Sequence, residues 1–159
     1  MATDDVLSSR FTPLDKNYPT CEETVVELVI STEGTFDEIT EILKIRPSEA
    51  QNKGQVLTNS IGHPRVAKRT LWILSSDGEV QSKDVRHHLN WLLDKIEGAA
   101  SGIKKLQETP DVIMYVKCVW FAAGMGGPTL WPEQMEKLAK HNLECTFSFY
   151  GPDDTSGVV

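Results

Sequence analysis

Three glycines between an apolar run and a predicted helix come closest to a known binding chemistry. They lie in "WFAAGMGGPTLWPEQ", residues 120–134, and glycine-rich turns at helix starts can cradle phosphate groups. A P-loop also requires a lysine, and "GMGGPTL" contains none. A dinucleotide-binding turn requires G-x-G-x-x-G, but Thr129 stands where the third glycine should be. Both phosphate-binding interpretations are therefore rejected.

A structural turn from a strand into a helix is the favoured interpretation of this loop, because glycine adopts positive φ angles without strain. A small-anion site is the weaker one: backbone N–H groups at the helix start would receive a carboxylate, with Trp120 and Trp131 as an apolar rim. The candidate ligand or partner contacts of the loop are Gly124, Gly126, Gly127, Thr129 and Trp131.

A basic segment supplies the second group of candidate contacts. Residues 44–69 contain six basic residues and one acidic residue, in a chain of net charge -7. Arg65, Lys68 and Arg69 are the members predicted to approach the glycine loop if a ligand site exists. A solvated loop is the favoured interpretation, since isolated surface charges seldom define a site. The negative total argues against nucleic acid and anionic membrane as partners.

No catalytic residue, metal site or cofactor is predicted. The four histidines include one close pair, His87 and His88, which are adjacent and so point in different directions on a helix. The cysteines form no C-x-x-C pair and are interpreted as small buried side chains in a reducing cytoplasm. No G-x-S-x-G nucleophile turn is present. The four histidines are His63, His87, His88 and His141, and the three cysteines are Cys21, Cys118 and Cys145.

Hydrophobic patterns predict the elements that position these groups. Strands are predicted in "TVVELVIS", "TLWILSS", "DVIMYVKCVWF" and "ECTFSFYG", with a weak one around Gln55 to Leu57. Thr35 and Glu38 form a capping box that starts one helix, and Ser82 is predicted to cap a second. Two further helices are predicted in "GIKKLQE" and "EQMEKLAKHNL".

The last two strands alternate apolar and polar residues, which predicts one buried and one wet face. The prediction is a two-layer α+β sandwich, a mainly antiparallel sheet with helices on one face. Its strand order resembles a ferredoxin-like βαββαβ unit with an added αβ. If the weak strand does not exist, the alternative is a small parallel α/β sheet.

One domain is predicted, because the chain of 159 residues can bury a single core. Residues 1–22 are predicted to be a loosely ordered N-terminal arm, residues 23–151 the α+β domain and residues 152–159 a flexible tail. No apolar window is long enough to span a bilayer, so a cytoplasmic protein without membrane contact is expected.

A family resemblance rests on "VVELVIS", "FDEITEILKIRPSEA", "TLWILSS", "HLNWLLDKI" and "EQMEKLAKHNLECTFSFYG". Together these segments resemble the bacterial domain family of unknown function labelled DUF4279, over about Thr24 to Gly151. The resemblance implies a small intracellular bacterial domain. It carries no activity, so no catalytic residue is transferred from it.

Two functional hypotheses follow. The leading one is a binding or protein-interaction module without its own catalysis; an immunity-like inhibitor, whose acidic surface faces a basic enzyme, is one form of it. The competing one is a small-molecule or anion-binding protein, or an enzyme, that combines the glycine loop with the basic segment. Another protein or a second copy is the expected partner, and Thr146, Ser148 and Tyr150 offer a sheet face or edge for self-association.

Overall fold

Seven strands and four α-helices make up residues 9–152, the part of the chain that the computed structural model describes. The predicted flexible tail lies outside this part, except for Pro152. A 3₁₀ turn at Glu97–Ala99 joins two of the helices. In chain order the elements are β1 (Cys21–Thr32), α1 (Phe36–Leu43), β2 (Glu49–Gln51), β3 (Val56–Thr58), β4 (Pro64–Val66), β5 (Thr70–Ser75), α2 (Val85–Ile96), α3 (Ala100–Gln107), β6 (Ile113–Ala122), α4 (Pro132–Lys140) and β7 (Glu144–Tyr150).

The main sheet has five strands in the order β2-β5-β1-β6-β7, with β1 at the centre. Its first four strands pair antiparallel, and β7 joins β6 in parallel. Strands β2, β5, β1 and β6, with the helices between them, reproduce the ferredoxin-like order, and α4 and β7 add one αβ unit at the edge. The predicted fold class is therefore confirmed, and the alternative of a parallel sheet is wrong.

The edge strand of the sheet differs from the predicted one. Residues around Val56 do form a strand, but β3 pairs with β4 in a separate two-stranded ribbon. The sheet edge is filled by β2, which sequence patterns did not indicate because it has three residues and none is β-branched. Main-chain bonds hold it, beginning with Ser48 N–H to Ile73 O at 2.7 Å. Gly54, at φ +86°, then turns the chain into the ribbon.

The hydrophobic core lies between the sheet and the helices. Alternate residues of the central strand point into it, among them Val26, Leu28 and Ile30, which are fully buried. From the helical layer come Leu89, Leu92 and Leu93 of α2 and others along the same stripe. Trp72 of β5 and Trp120 of β6 lie in the same core, on the two strands that flank β1.

The opposite face of the sheet carries no helix among residues 9–152. Val29 is 6% exposed yet lies outside the core cluster, because it points away from the helices. We call this surface the open face. It comprises Val25, Glu27, Val29 and Ser31 of β1, Leu71 and Ile73 of β5, and Ile113, Tyr115, Lys117, Val119 and Phe121 of β6. Helices on one side only, as the alternating strands predicted, are thus confirmed.

Two helix starts were predicted from capping residues. The Thr35 side chain accepts a hydrogen bond from Glu38 N–H at the start of α1, as expected. The cap of α2 is Asp84 and not Ser82, since the Asp84 carboxylate accepts from Arg86 N–H at 3.0 Å. Ser82 lies two residues before Asp84, and its hydroxyl oxygen accepts a hydrogen bond from Asp84 N–H. A carboxylate at this position is the stronger cap for the helix dipole.

Candidate functional site

Rows of apolar side chains cross the open face. The register places Ile73, Val29 and Tyr115 side by side on three neighbouring strands, and Val25 beside Val119 in another row. Cross-strand neighbours on one face lie within contact distance, so each row is continuous across its strands, and the rows together form an apolar band. A band of this kind beside water is typical of a surface that docks another molecule.

A carboxylate and an ammonium group interrupt the band at its middle. Glu27 lies near the centre of β1, directly opposite Lys117 of β6. Partial burial raises the pKa of the Glu27 carboxyl; Lys117 opposes this rise, and the negative charges of Glu49 and Asp77 add to it. The centre of the face therefore holds a carboxylate that accepts a proton more readily than one in water.

One end of the open face is bordered by a cleft of 340 Å³ beneath the β3–β4 ribbon. Arg65, Lys68 and Arg69, the three predicted basic contacts, all line it. The other wall is the end of the open face, with Ser31, Gln51 and Leu71. We call this site the basic cleft. The structure thus brings the candidate basic residues together, beside the sheet.

Arg69 differs from the other two because its guanidinium is fully engaged. It donates to Ser31 Oγ at 2.6 Å, to Glu33 Oε1 at 2.8 Å and to Asp111 O at 2.6 Å. Lys53 also pairs with Glu33, and this hydrogen bond is the main cause that lowers the pKa of the Glu33 carboxyl. Arg69 therefore holds the cleft in shape. Arg65 and Lys68 are exposed and form no ion pair with any residue of the described chain.

The ribbon itself exposes aliphatic side chains. Val56 and Val66 face each other across its two strands and are 65% and 60% exposed. Ile61 at the turn is 75% exposed. Apolar groups held this far out of the core add to the contact surface that begins on the open face.

The glycine loop lies at the other end of β1. The Tyr18 hydroxyl contacts Thr129 Oγ1 at 2.8 Å and donates to Gly127 O at 2.8 Å. Gly126 has φ +142°, and a Cβ there would lie 2.7 Å from Thr20 Cγ2. Gly126 therefore lets residues 9–20 run close against the loop, which is a structural reason for a glycine at this position. Gly124 has open space around it.

The start of α4, the predicted anion site, is occupied by the chain itself. Gln134 Oε1 accepts from Trp131 N–H at 2.7 Å, and Pro132 has no N–H to offer. Glu133 follows, with its carboxylate 2.5 and 2.6 Å from the Arg10 guanidinium. An incoming anion would therefore meet a negative charge in the first turn of the helix.

The two groups of candidate residues are far apart. The glycine loop follows the end of β6 beside Cys21, whereas the basic cleft adjoins Ser31 at the far end of the same strand. With 12 residues, β1 is about 35 Å long at ~3.3 Å per residue. The structure therefore does not join the glycine loop and the basic segment in one pocket.

A buried ion pair next to the glycine loop was not anticipated from sequence. Asp84 and Arg86 are both fully buried, and the guanidinium donates to the carboxylate at 2.7 and 2.9 Å. It also donates to Thr12 O at 2.6 Å and Pro13 O at 2.9 Å. Residues 9–20, predicted to be part of a loosely ordered arm, are thus bound to the start of α2. The missed signal is the spacing of Arg86 on the same stripe as Leu89.

Trp131 completes this cluster. Its ring lies between the guanidinium groups of Arg10 and Arg86, at 4.6 and 4.8 Å, and its Nε1–H donates to Thr12 O at 3.2 Å. Burial would raise the pKa of the Asp84 carboxyl, but hydrogen bonds from Arg86 and from the Asp15 N–H outweigh it, so the pKa is lowered. The role of Trp131 in this cluster is to hold residues 9–20 in place.

A depression of 530 Å³ between α3 and the end of α4 is lined by Lys104, Lys140 and His141, among others. At its base Gln107 Nε2 donates to His141 O and Asn142 O, both at 3.0 Å. Burial lowers the pKa of the His141 imidazole, so this group is mainly neutral at pH 7. The Gln107 side chain thus ties α3 to the turn that follows α4.

A serine and a histidine meet in the interior. Ser76 Oγ lies 2.7 Å from His88 Nδ1, and His88 Nε2 donates to Ser82 O at 2.7 Å. Burial lowers the pKa of the His88 imidazole. Ser76 has no exposed surface, so no substrate reaches its hydroxyl. Residues 9–152 contain no group of three metal-ligating side chains either.

The three cysteines are free thiols. Cys118 Sγ lies 3.7 Å from Cys145 Sγ on the neighbouring strand, and this contact, together with burial, raises the pKa of Cys118. Burial raises the pKa of Cys21 to about 11. Cys21 and Cys118 are therefore protonated at pH 7, which leaves them poor nucleophiles.

The fold and the site define a two-layer α+β domain of the ferredoxin-like type, with one sheet face that no helix of residues 9–152 covers. The chain belongs to the DUF4279 family, described as a domain of unknown function, whose pattern matches residues 22–152. The cluster around Arg86 joins this matched region to residues that precede it. Comparison with curated proteins and with solved structures gave no match. None of the helices in residues 9–152 has the length and apolar character of a membrane span.

Proposed function

We propose that this protein is a protein-interaction module without its own catalysis, and that it docks its partner on the open face and the basic cleft. The observation that carries the proposal is the apolar band on a five-stranded sheet that no described helix covers. Sheets in water normally bury one face and keep the other polar. Here Ile73 and Tyr115 lie half-buried on that side, with Val29 packed between them.

The size of the surface supports docking of a protein. Five strands ~4.8 Å apart and roughly 25 Å of strand length give about 600 Å² of sheet. The ribbon and cleft extend this toward the ~800 Å² per partner of an ordinary stable interface. Each aliphatic side chain that becomes fully buried contributes roughly 1.5–3 kcal/mol, so a few of them offset the cost of association.

The interior chemistry supports a role without catalysis. The Ser76 hydroxyl is inaccessible, and the raised pKa values of the Cys21 and Cys118 thiols leave them protonated at pH 7. A reducing, cytoplasmic setting in a bacterium is part of this proposal. The competing function, ligand binding by the glycine loop with the basic segment, is disfavoured because the two lie at opposite ends of β1.

Site-specific photo-crosslinking in the source cells tests the proposal. A benzophenone amino acid replaces Ile73 or Tyr115 on the open face, and Glu41 or Lys104, exposed on the helical side, in matched controls. We expect a discrete protein adduct from the open-face positions and none from the controls. Adducts from the helical positions alone, or from none of the four, would refute the proposed docking face. A basic heterologous adduct would support the immunity-like form.

A further inference from the structure

We infer that the partner on the open face is a second copy of this chain, related by a two-fold axis that runs across the strands between the two sheets. This inference rests on the proposed function, since it concerns the same surface. It is carried by charges of opposite sign at the two ends of that surface.

The acidic end lies at the start of β1. Glu23 is exposed there, in the open-face row of Phe121. Asp77 is exposed two residues beyond the end of β5. Because the last residue of β5, Ser75, pairs with Glu27, Asp77 lies on the side of Glu27 that faces the start of β1. Asp77 is close enough to the open face to act on the carboxyl of Glu27.

The basic end is the basic cleft, on the same two strands. Arg65 and Lys68 are exposed in it, next to Ser31 near the end of β1 and Leu71 near the start of β5. The open face therefore carries basic groups at one end and mainly acidic groups at the other, where Glu22, Glu23 and Asp77 outnumber the exposed Lys16 and Lys83 of the same depression. A uniformly acidic or basic partner would meet a like charge at one end, which disfavours docking.

A second copy complements both ends at once. A two-fold axis across the strands reverses strand direction and keeps β1 over β1 and β5 over β5. Arg65 and Lys68 of each copy then lie over Glu23 and Asp77 of the other. An axis along the strands would place like charges together, so the charge pattern selects the first arrangement. Because Ser31 then lies over Glu23, the axis crosses β1 at Glu27. The apolar row of Val29 in one copy packs on the row of Val25 in the other, as in a sandwich of two sheets ~10 Å apart.

Sedimentation equilibrium measures the mass, and we expect twice the 17.7 kDa of one chain at concentrations of tens of micromolar. Two double variants test the arrangement: R65E/K68E makes both ends acidic, and E23K/D77K makes both ends basic. Each alone should raise the dimer dissociation constant by about 100-fold or more, because like charges then face each other. Mixing the two variants should restore a dimer, in which each end of one variant meets the opposite charge of the other.

The matched control is K104E/K105E, which reverses two exposed charges of α3 on the helical side and should leave the dimer unchanged. Circular dichroism of each variant confirms that it is folded. A wild-type monomer at all concentrations, or a mixture of the two double variants that stays monomeric, would overturn the inference. A crosslink from Ile73 to a different protein alone would leave the interaction module standing and remove the second copy.

Discussion

Arg86 connects parts of the chain that are distant in sequence. Its guanidinium donates to the Asp84 carboxylate and to the carbonyls of Thr12 and Pro13, and it stacks on the Trp131 ring. The fold tolerates this buried charge because the guanidinium has a carboxylate and two carbonyl groups as partners. Removing one partner should therefore lower the unfolding free energy by much more than the intact pair contributes to it.

Asp84→Ala should lower the unfolding free energy by about 3–5 kcal/mol at pH 7, since it leaves the Arg86 charge buried without its carboxylate. The double variant D84L/R86M removes both charges and should cost less than the single change. Urea denaturation of the three proteins measures this order. Equal losses of unfolding free energy in the single and double variants would contradict the prediction that the unpaired Arg86 charge causes the destabilisation.

His88 makes stability depend on pH. Burial lowers the pKa of its imidazole, so the folded protein binds the proton less readily than the unfolded chain, whose pKa is about 6.5. The stability that depends on neutral His88 is complete above pH ~6.5 and falls as the pH drops below it, by at most ~1.4 kcal/mol per pH unit.

His88→Gln should flatten this decline between pH 7.5 and 5.5, as measured by urea denaturation at each pH. Part of the slope should remain, because burial also lowers the pKa of His141. An unchanged slope in the variant would exclude His88 as its source.

At the scale of elements, strands with alternating apolar residues could be predicted, and β2 could not. The long alternation of apolar and polar residues in β6 indicates which side of the strand is buried, and the cap at Thr35 indicates where α1 begins. Strand β2 has three residues at a sheet edge and is held by main-chain hydrogen bonds, which every sequence can make. Its place depends on β5 already being in position, so local sequence carries little information about it.

Helices α1 and α3 approach closely at Gly102. A Cβ at this position would lie 2.7 Å from Ile42 O, a backbone atom that cannot move aside easily. Gly102→Ala should therefore destabilise the protein by about 1–3 kcal/mol in thermal or urea unfolding. Gly98→Ala is the matched control, because a Cβ there meets nothing within 4 Å. It should be neutral or slightly stabilising, and equal losses at both sites would contradict the close packing of these helices.

At the scale of the whole molecule, the sequence indicated candidate site residues, but it did not indicate how far apart the two groups of candidates lie in the fold. Arg65, Lys68 and Arg69 are close in the chain, and the structure places them in one cleft. Their distance from the glycine loop follows from the length of β1 and from the order of the strands, which no local pattern contains. The binding of residues 9–20 to Arg86 is equally a product of the complete fold.

A chain that begins at Thr20 should lose about 3–5 kcal/mol of stability, because Arg86 then loses two carbonyl acceptors and Trp131 loses the guanidinium of Arg10. Phe11→Ala is the control: the ring is 99% exposed, and its removal should change stability by less than about 0.5 kcal/mol. Calorimetry compares the three proteins. A shortened chain as stable as the full one would show that the segment is dispensable.

The central position of β1 also affects synthesis on the ribosome. This strand is translated before both of its neighbours, and the second of them is complete only at Ala122, 90 residues after Thr32. At ~5–20 residues per second this interval lasts on the order of 5 to 20 s. During that time one edge of β1 has no strand to pair with, and its unpaired N–H and C=O groups make it the natural binding segment for a ribosome-associated chaperone.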